Sequence, residues 1–153
     1  MLADRAPFVA GWPLWIEVRC GGTAPLQPLV EARRQLEDLG SPGLWETSRR
    51  LRGGLRRRLV GESGVDAAER LVAQIREAAA TAGSRPLIVL EGAELADPAT
   101  AMVLQRAASE PGWFPTALLL VFHAWPQDAA LAALAARLDL SPPTPAPAPA
   151  PAP

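Results

Sequence analysis

The chain contains no lysine, no asparagine and no tyrosine. The missing lysine excludes the most. A loop that cradles nucleotide phosphates ends a Gly-rich turn in Lys-Ser/Thr, because the ammonium reaches the β- and γ-phosphates. Every basic residue here is arginine, and G-x-x-x-x-G-K-[ST] occurs nowhere in the sequence. Lys, Asn and Tyr also share AT-rich codons, so their joint absence is what a GC-rich bacterial genome produces. Cysteine is almost absent too. Cys20 alone excludes an intramolecular disulfide and fits a reducing compartment.

A net charge of −1 gives no overall attraction to nucleic acid or membrane. Long hydrophobic runs are missing as well. The apolar stretch from Ala6 to Ile16 is interrupted by Pro7 and Pro13 and lacks the layout of a secretory signal. It is shorter than the ~20 residues a bilayer span requires. The expectation is a soluble, cytoplasmic protein.

What is present suffices for one domain: 153 residues, 49% of them hydrophobic. Leu14 to Cys20 alternates, with Ile16, Val18 and Cys20 on one side and Glu17 and Arg19 on the other, as a strand does. Gly21-Gly22-Thr23-Ala24-Pro25 breaks it. A helix is expected from 26 to 39, with Leu29, Val30, Leu36 and Leu39 on its apolar side and Gly40 as its stop. Leu51, Leu55 and Leu59 recur among arginines as in a basic amphipathic helix, although Gly53-Gly54 weakens it by ~1 kcal/mol per residue.

Val65, Ala68, Val72, Ile75 and Ala79 predict a helix over 65–82, closed by Gly83. Leu87-Ile88-Val89-Leu90 is the continuous apolar run of a parallel strand buried on both faces. Asp97-Pro98 is a helix start, and that helix carries Met102, Val103, Leu104 and Ala107 as far as Pro111-Gly112. Ala117 to Phe122 is a second apolar strand, and Leu131, Leu134 and Leu138 mark a helix over 127–138. The expected fold is α/β: a small three-layer sandwich with a short, mainly parallel sheet (strands near 14–20, 86–91 and 117–123) and helices on both faces. The domain spans 14–140. Residues 1–13 precede it, and 141–153, SPPTPAPAPAPAP, form a Pro/Ala-rich extended tail or linker.

In order and spacing these pieces resemble the STAND branch of the AAA+-like P-loop ATPases. The second conserved strand of that family reads as apolar residues, Asp-Asp, an apolar residue, His-Trp-Ala-Asp and Pro-Ala-Ser. Leu87 to Leu90 match its strand, Ala96-Asp97 its Ala-Asp, and Pro98-Ala99-Thr100 its tail. Leu14 to Cys20 looks like the preceding edge strand, Pro25 to Leu36 the helix after it, and Ala117 to Phe122 the next core strand.

The departures imply an inactive member with no cofactor. Glu91 stands where the family's magnesium-holding Asp would be, and Gly92 where a second acid would polarise the attacking water. Glu94-Leu95 replaces His-Trp. No arginine follows Phe122, where His123-Ala124-Trp125 stand instead, and the phosphate-loop strand has no counterpart upstream. Glu91, Gly92 and Asp97 are therefore a degenerate remnant. Glu91 and Asp97 could form a residual metal pair; the simpler reading is a strand-end carboxylate and a helix cap. His123 reads as a structural or solvent-facing histidine, Cys20 as a core thiol.

In that family the phosphate-loop strand lies beside the one matched by 117–122. Its loss would leave an apolar edge, to be closed by Phe8-Val9-Ala10 or by another chain, including a second copy. The expected function is a non-catalytic protein-interaction module in a bacterial signalling or defence assembly. Alternatives are a split ATPase completed by a phosphate loop in trans, or nucleic-acid binding through Arg49, Arg50, Arg52, Arg56, Arg57 and Arg58. That cluster has charge but no interleaved aromatics, and also suits a solvated face or an acidic protein partner. One or two exposed tryptophans could anchor a partner.

Overall fold

A computed structural model of the chain describes residues 12, 14–40, 64–83, 85–140 and 142. The expected covering segment Phe8–Ala10, the basic helix and Arg49–Arg58 cluster, and the Pro/Ala tail beyond 142 lie outside the described residues.

Strand β1 (Leu14–Arg19) forms where the alternation places it, burying Ile16 and Val18. Helix α1 (Gln27–Gly40) follows, then α2 (Gly64–Thr81). Strand β2 (Pro86–Glu91) is buried along its whole length. A short 3₁₀ turn (Ala93–Leu95) leads into α3 (Pro98–Ser109), then β3 (Ala117–Val121) and α4 (Ala129–Arg137). The sheet order is β1-β2-β3 with both pairings parallel, so each strand is reached by a crossover through helix. This is the expected α/β fold around a short parallel sheet.

Register explains the core. Ile16 lies opposite Ile88 and Val18 opposite Leu90, while Leu118 and Leu120 flank them from β3. This row packs with Leu29 and Leu36 of α1, Ile75 of α2, Leu104 of α3 and Leu131 and Leu134 of α4. Leu87 and Val89 point to the opposite face of β2 and are buried as well, so the central strand is enclosed on both sides. Among the helices, α1 packs on α2 and β1, and α3 on α4.

Three apolar positions differ from expectation. Leu39 is 51% exposed: it continues the three-and-four repeat of Leu29, Ala32 and Leu36, but it stands in the last turn of α1, past the end of the buried stripe. Met102 is 62% exposed, since α3 turns Ala101, Val103 and Leu104 inward. Leu138 caps α4 rather than belonging to it: Asp128 starts that helix by accepting hydrogen bonds from the Ala130 and Leu131 amides.

Candidate functional site

The three parallel strands end on the same side, the edge at which open α/β sheets bind ligands. An open cleft of about 270 Å³ lies there, lined by Arg19 and Cys20 after β1, Glu91 and Gly92 after β2, and His123 beyond β3.

The sheet itself builds this cleft. Arg19 lies opposite Glu91, Glu91 opposite Val121, and His123 follows Val121 by two residues. Glu91 is 9% exposed, and its Oε1 is hydrogen-bonded to His123 Nε2. The His123 amide donates to Glu94 Oε2 at 3.1 Å, so both carboxylates hold the end of β3 against the turn after β2. Gly92 adopts a left-handed conformation (φ 67, ψ 43) at the start of the 3₁₀ turn, and its carbonyl accepts from the Leu95 amide at 2.9 Å. Glycine takes this conformation without a Cβ penalty.

Asp97 is fully committed to structure. Its Oδ1 accepts from the Thr100 amide at 3.0 Å and, across seventy-one positions of chain, from the Leu26 amide at 3.1 Å. Its Oδ2 accepts from Thr100 Oγ1 at 2.6 Å. The carboxylate therefore caps α3 and also fixes the loop that leads into α1. Leu26, at φ 60, is a non-glycine residue in the left-handed region, and this hydrogen bond together with its buried side chain holds it there. Asp97 is thus a helix cap. Among the described residues no group of three or more His, Cys, Asp or Glu side chains is placed to hold a metal ion.

Cys20 is half-buried at the cleft wall, and its amide donates to the Glu91 carbonyl at 2.9 Å. Burial, then the charges of Asp97 and Glu94, push its thiol up to about 11. A protonated thiol is a poor nucleophile.

Of the remaining residues singled out by sequence, Trp113 is half-buried under the Arg106 guanidinium, 4.3 Å from its ring centre, and its carbonyl accepts from Arg76. Trp15 is 45% exposed on β1. The pairing of Glu91 with His123 was not foreseen; its only sequence signal is the register of two apolar runs, which carries both side chains to one end of the sheet. No helix among the described residues is long and apolar enough to cross a membrane. Comparison with protein-family models, with curated proteins and with solved structures finds no match for this chain.

Proposed function

We propose that this chain is a non-catalytic, cytoplasmic protein-interaction module built on a scaffold that resembles an inactive STAND-type ATPase. The observation that carries this reading is the state of the would-be nucleotide edge. Glu91 is engaged by His123, Asp97 is consumed by three hydrogen bonds, and Gly92 offers no side chain to act as a base. No lysine exists to reach the β- and γ-phosphates of a nucleotide. A split ATPase would require Glu91 to exchange His123 for a magnesium ion.

Without turnover, the surface available for function is a contact surface, and an apolar strand at the border of the sheet is one that proteins use for docking. The bacterial signalling or defence setting follows from the family resemblance alone. Phosphate release from ATP by the purified full chain in magnesium tests the reading. A rate no greater than the protein-free blank is expected. Turnover that vanishes in Glu91→Gln would refute it.

A further inference from the structure

The two borders of the sheet differ. On β1, Glu17 and Arg19 place charge along the strand, and Gln35 of α1 donates its side-chain amide to the Glu17 carbonyl at 3.2 Å. Charge and a covering helix are the usual protections of a sheet edge. Among the described residues, strand β3 has neither device. Its sequence is Ala-Leu-Leu-Leu-Val, and every residue is half-buried while its partners on β2 are buried. Among the described residues, only β2 pairs with it. No Asp, Glu, Arg or Lys occurs between Glu110 and Asp128, yet Trp113, Phe114, Phe122 and Trp125 all fall in that interval.

We propose that the outer edge of β3 docks a second copy of this chain, the two β3 strands running antiparallel about a twofold axis at Leu119. The inference rests on the interaction-module reading and names its partner. Neutrality admits this occupant: an edge without charge offers no complementarity to a charged segment and meets a copy of itself without repulsion. The sequence is also close to symmetric about Leu119. Antiparallel pairing sets Leu118 against the copy's Leu120 on the core side, and Ala117 against its Val121 on the other. Each β3 then gains hydrogen-bond partners on its open side, and the two parallel sheets merge into one. Five residues a side bury too little alone for a stable interface of ~1,000 Å² or more, so the flanking Phe122 and Trp125, both half-exposed, belong to the contact.

Sedimentation velocity of the full chain across a concentration series from micromolar upward tests this. The unaltered protein is expected to dimerise. Leu119→Arg and Leu119→Glu each set like charges against each other on the axis and should weaken self-association about tenfold or more. The two variants mixed in equal amounts should associate again, because the axis then pairs Arg with Glu. Should both charged variants unfold on a thermal melt, Leu119→Cys in a Cys20→Ser background decides. It is expected to give a covalent dimer on mild oxidation, whereas Leu95→Cys in the same background gives none. A monomer at every concentration, a dimer indifferent to charge at Leu119, or no cross-link through Leu119→Cys overturns the proposal. A monomer without ATP turnover sinks this inference alone; turnover sinks the module reading whatever the oligomeric state.

Discussion

Asp97 is the residue on which two separate parts of the chain depend. Asp97→Ala removes the cap of α3 and strands the buried Leu26 amide without its acceptor. Losing a cap costs ~0.5–2 kcal/mol and a buried unsatisfied amide ~1–3 kcal/mol, so a loss of about 2–4 kcal/mol is expected in urea denaturation. Asp97→Asn keeps one carbonyl oxygen for both amides and should cost about 1 kcal/mol, the weakening of a charge-assisted pair. Equal losses from the two substitutions would mean that the charge, not the acceptor geometry, matters. Cys20 gives a pH-dependent counterpart. Its folded value, pushed up to about 11, lies above the ordinary 9.0, so the folded state holds the thiol proton more tightly. The contribution is constant below about pH 9 and falls as pH rises from 9 towards 11, where the unfolded chain alone gives up the proton. Iodoacetamide labelling should follow the same order: its rate in the native protein keeps rising past pH 9, whereas in urea it levels off near that value.

At the scale of elements, helix ends and strand borders make the sharper tests. Helix α4 closes with Leu140 donating to the Ala135 carbonyl at 3.0 Å and Asp139 to Ala136 at 3.2 Å, a Schellman arrangement that places Asp139 at φ 61. Glycine takes that conformation without a Cβ penalty, so Asp139→Gly should stabilise the protein by about 0.5–1 kcal/mol, read as a raised melting temperature. A lowered one would mean that the Asp139 side chain makes a contact that outweighs the strain. The elements themselves were largely legible. The alternation of β1, the apolar run of β2 and the Asp-Pro start of α3 are local patterns, and the structure repeats them nearly residue for residue. Met102, Leu39 and Leu138 misled because a helix of apolar residues does not announce which of them faces inward; neighbouring helices decide that. The candidate site was legible only in part. Asp97 carries its cap signature in sequence, but its bond to Leu26 and the union of Glu91 with His123 depend on register across strands, which no short window contains.

For the whole molecule, the sheet's two borders and its carboxyl-end cleft carry different meanings. The cleft sits where α/β proteins hold ligands, yet its carboxylate Glu91 is bonded to His123. The uncharged border at β3 is the feature without an internal purpose among the described residues. On the function proposed above, Glu91 and Asp97 serve as clasp and cap, and surface, not turnover, is the working part. Melting of the full chain with and without saturating magnesium-ATP addresses that claim most directly. Ligand at one hundred times its dissociation constant adds ~2.7 kcal/mol, enough to raise the midpoint by several degrees. The account predicts a midpoint unchanged by the nucleotide; a rise of about 5 °C or more, abolished in Glu91→Gln, would contradict it.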